Sequence, residues 1–341
     1  MKIEKLKKQE SVERSLASLY ANYGYKRYRM GNFEEYSFYI KNKNFLSSDK
    51  IITFNDLDGR LMALKPDVTL SIVKNANAGD KFFYIENVYR PTKNSGYGEI
   101  SQMGLETLGN IDVYTEAEVL DLAAKSLSDI DNNFVLDLSH MGLINILISK
   151  VEDKVGKREL LGYLRSKNYS EAKEKFGEED LLKAFFECDL DFLSSYSKEA
   201  AEYVKELRFL RDGLEKKNVK VNIDFSLLND EGYYNGIIFA GYVEKVPRPV
   251  LSGGRYDKLL ARLKKDFAGL GFALYLNELD VYDVPDAYDC DVLIIYSTSN
   301  AAEAYKKADD MRKDNLSVRV TNEKTDNVKC RTLIDMGGAQ C

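Results

Sequence analysis

Residues 81–109, KFFYIENVYRPTKNSGYGEISQMGLETLG, carry the pattern that decides the fold. Two long runs rich in aromatic and β-branched residues flank a glycine-containing turn at residues 94–98. Such runs on either side of a short turn predict a pair of antiparallel strands. This pair is the centre from which the rest of the chain can be interpreted.

The second run alternates polar and apolar side chains in an unusual way. Because successive side chains of a strand point to opposite faces, Gln102, Gly104 and Glu106 share one face with Ile100 and Leu108. A solvated face would not carry the two apolar residues, although a glycine in a strand also marks a bulge. The mixture favours a pocket floor on which Gly104 leaves room for a ligand.

The chain before this pair predicts a helix and a hairpin. The stretch SVERSLASLYANYGY places Val12, Leu16, Leu19 and Tyr23 on one helical face, and Gly24 ends the helix. Next, IITFND and RLMALKP are expected to form a hairpin around a turn at residues 58–59. A short helix follows in DVTLSIVKN, with the carboxylate of its first residue, Asp67, as the cap.

The chain after the pair alternates helices and strands before turning helical. A helix with a Thr115–Glu118 capping box precedes the strand NFVLDLSH and the helix GLINILISKV. Residues 150–218 are charged and helical, which indicates an inserted helical subdomain. Strands return in VKVNIDFSLL, YYNGIIFAGYVE, RPVLSGG and GLGFALYL, with the helix RYDKLLARLKK among them. This order predicts an α+β fold and not a doubly wound sheet.

Two domains are expected. The first spans residues 1–285, and a small β-α-β extension spans residues 286–341, with CDVLIIYS and LSVRV as its strands. At 341 residues, 44% hydrophobic and 30% charged, the chain has the composition of a globular protein. It has no uninterrupted apolar segment of membrane-spanning length, so we expect a cytoplasmic protein that does not bind a membrane.

Charge and metal-ligand content exclude further classes of function. The net charge of −6 offers no general attraction to a phosphate backbone, which disfavours nucleic acid as a partner. Four cysteines without C-x-x-C spacing predict neither a metal site nor a disulfide framework. The single histidine, His140, ends a strand of buried character, and we interpret it as a packed, hydrogen-bonded residue and not as part of a triad.

Two segments carry residues suited to a ligand. LSGGRYDKLL places Gly253, Gly254 and Arg255 at a strand end, which permits close approach of a ligand or, equally, a tight strand-to-helix turn. LLNDEGYYNG places Tyr233 and Tyr234 after an acidic turn. GLGFAL matches only part of a dinucleotide fingerprint and opens into a strand, so no nucleotide cofactor is expected.

Together these motifs resemble the histidyl-tRNA synthetase family, a class II aminoacyl-tRNA synthetase fold. TFNDLDGRLMALKPDVT is similar to its hairpin and Pro-Glu-Gly-Thr segment, and YIENVYRPTKNSGYGEISQMGLETLG to its motif 2. GYYNGIIFAG and LSGGRYDKLL resemble its two histidine signatures. The motifs occur in the family's order and spacing over about residues 5–282, and the β-α-β tail resembles the start of its anticodon-binding domain.

The resemblance implies a histidine pocket. Asp67 and Thr69 match residues that receive the α-amino group, and Gln102, Glu106 and Tyr234 match those around the imidazole. A carboxylate and a hydroxyl suit an ammonium group, and a buried glutamate beside a tyrosine suits a ring N–H. The predicted histidine-binding residues are Asp67, Thr69, Arg90, Gln102, Glu106, Tyr233, Tyr234, Gly253, Gly254 and Arg255.

The phosphate-binding residues of the synthetase are not kept. Asn229 and Glu278 stand where the family has arginines, and Gly96 and Gly98 replace two basic positions of the motif 2 loop. Thr92 replaces a glutamate, and only Arg90 remains as an α-phosphate contact. Adenylation needs cations at the developing charge, and each loss costs about a hundredfold or more in rate. We therefore expect no adenylation and no catalytic residue.

A synthetase scaffold with this pocket and without these cations resembles the regulatory subunits of ATP phosphoribosyltransferase. The resemblance implies a hetero-oligomer with a short catalytic subunit, activation of that subunit, and feedback by histidine in histidine biosynthesis. It also implies a dimer, although Gly31 stands where motif 1 has a proline. The alternatives are a divergent synthetase-like ligase, which ATP–pyrophosphate exchange would reveal, and an RNA-binding module, which a salt-dependent gel shift would reveal.

Overall fold

A computed structural model describes residues 6–41, 51–92, 96–177, 179–228, 233–283, 287–323 and 327–337. The chain divides into two compact units, a large one from Lys8 to Val281 and a small one that contains the residues after Val281. In the described residues, no helix is both long and apolar enough to cross a membrane.

The large unit combines helices and strands along the whole chain. Its helices are α1 (Lys8–Asn22), α2 (Tyr36–Lys41), α3 (Thr69–Asn75), α4 (Val113–Ile130), α5 (Met141–Ile148), α6 (Lys154–Ser166), α7 (Tyr169–Phe176), α8 (Asp180–Glu187), α9 (Leu190–Tyr196), α10 (Lys198–Glu215) and α11 (Asp257–Arg262). Its strands are β1 (Lys26–Arg27), β2 (Phe33–Glu35), β3 (Thr53–Asn55), β4 (Leu61–Leu64), β5 (Lys81–Thr92), β6 (Gly96–Gly109), β7 (Phe134–His140), β8 (Val221–Ile223), β9 (Ile237–Val243), β10 (Leu251–Arg255) and β11 (Ala268–Tyr275).

Eight of these strands form one sheet, in the order β1-β5-β6-β11-β10-β9-β7-β8. The predicted pair β5–β6 is antiparallel, with Phe82 opposite Glu106 and Glu86 opposite Gln102. The inner pairs are antiparallel, whereas the outer pairs β1–β5 and β7–β8 are parallel, so the sheet is mixed. The predicted α+β fold with a largely antiparallel sheet is confirmed, with parallel pairing added at both edges.

The predicted hairpin and the capped helix after it are also present. Strands β3 and β4 pair antiparallel around Gly59, whose φ of 77° lies in the left-handed region that glycine tolerates. The Asp67 carboxylate accepts a hydrogen bond from the Leu70 amide at 2.8 Å and so stabilises the first turn of α3. A third strand, β2, pairs with β4 on its other side.

Two details of the helices differ from expectation. In α1 the buried residues are Val12, Leu16 and Tyr20, because an unbroken i, i+4 series faces the core. Leu19 and Tyr23 therefore do not belong to the buried face of α1. Helix α4 begins earlier than its predicted capping box, since the Asp112 carboxylate accepts from the Thr115 amide at 2.8 Å. Glu118, predicted to complete that box, instead pairs with Lys81 at 2.5 Å.

The predicted helical insertion corresponds to α6–α10, and its last helix joins it to the sheet. Helix α10 packs on α4, α5 and β7. Gly142, at the start of α5, is required there because a Cβ would lie 2.6 Å from the Tyr203 ring. The small residue therefore lets α10 approach the sheet closely.

The small unit contains one strand more than the sequence predicts. Strands β12 (Cys290–Ile295), β13 (Val318–Thr321) and β14 (Cys330–Asp335) form a parallel sheet in the order β13-β12-β14, with helix α12 (Ala301–Lys313) after β12. The expected β-α-β order is β12-α12-β13. Strand β14 was missed because most of its residues are exposed or half-buried and its sequence, CRTLID, lacks an apolar run.

Candidate functional site

A cavity of about 350 Å³ opens on the central strands of the large sheet, and we call it the ligand cavity. Eight of the ten predicted histidine-binding residues line it: Asp67, Thr69, Arg90, Gln102, Glu106, Tyr233, Tyr234 and Gly253. They come from α3 and its preceding turn, from β5, β6 and β10, and from the segment before β9. The sheet thus brings residues that are distant in sequence to one place.

Glu106 lies at the buried end of the ligand cavity and is 2% exposed. Its Oε1 accepts a hydrogen bond from Thr69 Oγ1 at 2.6 Å, and its Oε2 accepts one from Tyr256 Oη at 2.5 Å. Burial raises the pKa of Glu106 to about 8, and these two hydrogen bonds oppose that rise. The carboxyl group can therefore gain or lose its proton near neutral pH. Two hydroxyl groups donate hydrogen bonds to it.

Asp67 and Arg90 form a second polar group at the cavity wall. An Nη2 of Arg90 lies 3.6 Å from Asp67 Oδ2, and its Nε donates to the Pro66 carbonyl oxygen at 2.6 Å. Arg90 thus fixes the turn before α3 as well as facing the cavity. At 3.6 Å the guanidinium and the carboxylate are too far apart for a hydrogen bond, so Oδ2 of Asp67 can accept one from an ammonium group.

Aromatic residues form the walls of the ligand cavity. Tyr233 and Tyr234 pack edge to face with ring centroids 4.8 Å apart. Tyr84, Tyr233, Tyr234 and Tyr256 all have pKa values raised well above the ordinary value, first by burial and then by nearby acids or tyrosines. Their hydroxyls therefore stay protonated at neutral pH, and each can donate a hydrogen bond.

The role expected of Gly104 needs a correction. A Cβ at Gly104 would lie 2.5 Å from Tyr84 Oη and would also clash with the Phe272 carbonyl oxygen. The space above this glycine is therefore filled by the protein's own Tyr84 and is not left to a ligand. Tyr84 lies opposite Gly104 in the neighbouring strand and lines the cavity in its place.

The structure does not bring Gly254 and Arg255 to the lining of the ligand cavity. Gly254 supports the Tyr234 ring, since a Cβ there would lie 2.9 Å from that ring. The Arg255 Nη1 donates to Glu116 at 3.1 Å, and its Nε donates to Asp257 at 2.8 Å. Both residues therefore act on residues next to the cavity.

Of the described residues that line the ligand cavity, Arg90 is the sole cation. Glu278, where the synthetase pattern has an arginine, accepts a hydrogen bond from Arg248 at 2.5 Å and is not among the lining residues. Gly96 and Gly98 lie in β6. Asn229, the other changed arginine position, lies outside the described residues. The described lining therefore suits a small zwitterion or a ring with an N–H better than a polyphosphate.

His140 is a packed residue, as expected. It is 2% exposed, its Nδ1 accepts from the Gly142 amide at 3.1 Å, and its Nε2 lies 3.1 Å from Glu206 Oε1. The Nδ1 contact places the ring proton on Nε2, which donates to Glu206. His140 thus caps α5 and contacts α10.

Sequence reasoning missed three cavity residues that a strand-by-strand reading could have found. Tyr84 stands opposite Gly104, Tyr256 follows the double glycine, and Tyr275 lies opposite Gln102. Tyr84 and Tyr275 become candidates once the register of the β5-β6-β11 strands is known, whereas Tyr256 lies just after β10. The period-2 pattern alone does not supply the register of β11 on β6, so it gave no signal for Tyr275.

Comparisons with known proteins identify relatives by sequence and by fold. The family model described as histidyl-tRNA synthetase matches residues 2–279. A Clostridium kluyveri protein named ATP phosphoribosyltransferase regulatory subunit is 27% identical over 94% of this chain and 90% of the relative.

Two solved structures show a similar fold. A Bacillus halodurans protein described as an ATP phosphoribosyltransferase regulatory subunit/histidyl-tRNA synthetase has a TM-score of 0.77 at 21% identity, covering 97% of this chain and 94% of the other. A chain of the ATP phosphoribosyl transferase (HisG:HisZ) complex from Thermotoga maritima has a TM-score of 0.63 at 20% identity, covering 79% and 97%.

Proposed function

The chain belongs to the histidyl-tRNA synthetase family, and from this premise we propose that it is the non-catalytic regulatory subunit of ATP phosphoribosyltransferase. Curated relatives with that name align with most of the chain. The partner is the short catalytic subunit of the same enzyme. One observation carries the proposal: the ligand cavity keeps its acids and tyrosines, whereas Arg90 is the sole cation among its described lining residues.

Histidine is the ligand that this cavity suits. Its α-ammonium group fits Asp67 and Thr69, and its carboxylate fits the remaining donors of Arg90. Its ring N–H fits Glu106, whose buried carboxyl can take or give a proton near neutral pH. Thr69 donates its hydroxyl proton to Glu106, and its oxygen can still accept a hydrogen bond from the ammonium group. Gln102 and Tyr234 would close the remaining sides.

Feedback requires that histidine bind one arrangement of the hetero-oligomer better than another. A coupling of about 1–3 kcal/mol is typical, and the catalytic subunit must then change histidine affinity by the same factor. A dimer of this chain in the cytoplasm completes the proposal, and light scattering of the purified chain tests the dimer.

The proposed role is tested by adding the chain to a short-form catalytic subunit and measuring phosphoribosyl transfer to ATP. We expect turnover to rise when the chain is present and histidine to reduce it. Equal turnover with and without the chain would contradict the proposal. ATP–pyrophosphate exchange with histidine is the complementary assay, because clear exchange would instead support a synthetase-like ligase.

A further inference from the structure

A partly buried polar cluster lies next to the ligand cavity, and the histidine pocket itself does not use it. We call Glu116, Glu206, Arg255, Asp257 and His140 the Arg255 cluster. Its members come from α4, α10, β10, α11 and the end of β7. It therefore connects the helical insertion, through α10, with the strand that carries Gly253 and Gly254.

The acids of the Arg255 cluster are bound to one another as well as to the guanidinium. Glu116 is 1% exposed, and its carboxyl is hydrogen-bonded to that of Glu206, which requires a proton between them. Burial and the Glu206 charge raise the pKa of Glu116 to about 7. Although burial acts in the opposite direction, the hydrogen bond with His140 and the charge of Arg255 lower the pKa of Glu206. Of the two acids, Glu116 therefore keeps a proton up to the higher pH.

The same cluster holds the tyrosine loop, which we define as residues 233–236. The Arg255 carbonyl oxygen accepts from the Asn235 amide at 2.9 Å, and Asp257 accepts from Asn235 Nδ2 at 3.1 Å. The aliphatic part of Arg255 lies against Gly236, where a Cβ would come within 2.8 Å of Arg255 Cδ. The Met141 amide, next to His140, donates to the Gly236 carbonyl oxygen at 2.9 Å.

Strand β10 brings these contacts to the cavity. Because neighbouring side chains of a strand point to opposite faces, Gly254 meets the Tyr234 ring while Arg255 points to the other face, toward Glu116. The tyrosines of the cavity are thus held from behind by groups that also contact α10. If α10 shifted and carried Glu206 away, the Arg255 cluster would lose one of its charged members. The tyrosine loop, which that cluster supports, would then be held less firmly.

We propose that Arg255 and Glu206 are positioning residues that couple the tyrosine loop, and with it the ligand cavity, to helix α10 of the insertion. The inference rests on the proposed function only for the identity of the ligand. In the hetero-oligomer, a catalytic subunit that moves α10 would alter the loop, and a ligand that fixes Tyr234 would restrain α10. Arg255 then acts through Tyr233 and Tyr234 and not by contact with the ligand.

Hydrogen exchange of the full-length chain without ligand tests this coupling. We expect Glu206→Gln to speed amide exchange in residues 233–236 about tenfold, since it removes a charged hydrogen-bond partner. Asp121→Asn is the matched control, because Asp121 in α4 pairs with Lys217, just beyond α10, at 2.7 Å and so joins the same two regions. That variant should leave exchange in the loop unchanged.

A second variant keeps the test decisive if Glu206→Gln does not fold. Arg255→Lys retains the charge but carries all its donors on one nitrogen, so it cannot reach Glu116 and Asp257 as the separate Nη1 and Nε of arginine do, and we expect a similar rise in exchange. Unchanged loop exchange in the folded variants, or an equal rise in Asp121→Asn, would overturn the inference. Calorimetry separates the two proposals. If the wild type does not bind histidine, the proposed ligand is wrong. Amide exchange measured without ligand still decides whether α10 is coupled to the tyrosine loop.

Discussion

Glu106 in the ligand cavity and Glu116 in the Arg255 cluster are both buried, but their carboxyl groups have different partners. Glu106 accepts hydrogen bonds from the hydroxyls of Thr69 and Tyr256, whereas Glu116 pairs with the guanidinium of Arg255. A carboxyl held by neutral donors can take an N–H or a cation from a ligand, while one held by a guanidinium already has its counter-ion. Glu106 is therefore the carboxyl group available to a ligand, whereas Glu116 stabilises the fold.

The largest expected effect is on the structural side of this comparison. Arg255→Met should lower the free energy of unfolding by about 3 kcal/mol, because it leaves the buried Glu116 without its cation. Urea denaturation measures the change. Arg248→Met is the matched control, since its bond to Glu278 is made by an exposed arginine and should contribute less than about 1 kcal/mol. If both variants lost the same free energy of unfolding, the Arg255 cluster would be no more important for stability than an exposed ion pair.

The next effect concerns the binding side. Glu106→Gln should raise the dissociation constant for histidine about thirtyfold, because an amide cannot give up a proton and so cannot become a charged acceptor of the ring N–H. Calorimetry with the catalytic subunit present measures it, and Asp121→Asn should bind like the wild type. A Glu106→Gln variant with wild-type affinity would exclude this pocket from histidine sensing.

The two acids also predict different pH windows. The folded protein keeps a proton on Glu106 up to about pH 8, whereas the usual pKa is 4.5, so stability falls as pH rises through this interval. Glu116, whose pKa is about 7, is half ionised at pH 7 and about nine-tenths ionised at pH 8. Between pH 7 and 8, Glu106 should therefore contribute a loss on the order of 1 kcal/mol per pH unit.

Denaturation of the wild type and of Glu106→Gln at pH 7 and 8 isolates this contribution. We expect the difference in stability between the two proteins to change with pH over that interval. A constant difference would mean that the Glu106 carboxyl is already ionised in the folded protein.

The smallest effect is that of one hydroxyl. Tyr256→Phe should lower stability by about 1 kcal/mol, since it removes a hydrogen bond to a buried carboxylate. Because that bond lowers the pKa of Glu106, its loss should also move the titration to higher pH. The exposed Tyr114→Phe serves as the control for both measurements. No shift in the titration would show that Tyr256 does not support Glu106.

The sequence predicted those features that depend on local pattern. Alternation along residues 100–108 placed Gln102 and Glu106 on one face, and the position of Asp67 predicted the hydrogen bond to the first turn of α3. These predictions succeed because period-2 alternation and capping involve neighbours in the chain. The resemblance to a known family then supplied the ligand that pattern alone could not.

Features that depend on register and on packing between distant segments could not be predicted in this way. Gly104 was expected to make room for a ligand, but pairing of β5 with β6 places Tyr84 above it. Arg255 follows two glycines at a strand end, yet alternation along β10 directs it toward α4 and α10. The partners of these side chains depend on the register of the paired strands and on the packing of α10, and neither can be read from the local sequence.

The central claim is that this chain activates a catalytic subunit and senses histidine through Glu106. The most direct test measures phosphoribosyl transfer by the short catalytic subunit as histidine is titrated, with either wild-type chain or Glu106→Gln. The account predicts that both chains raise turnover and that the mutant needs about thirty times more histidine for half-inhibition. Turnover that does not depend on the chain, or identical inhibition curves, would contradict it.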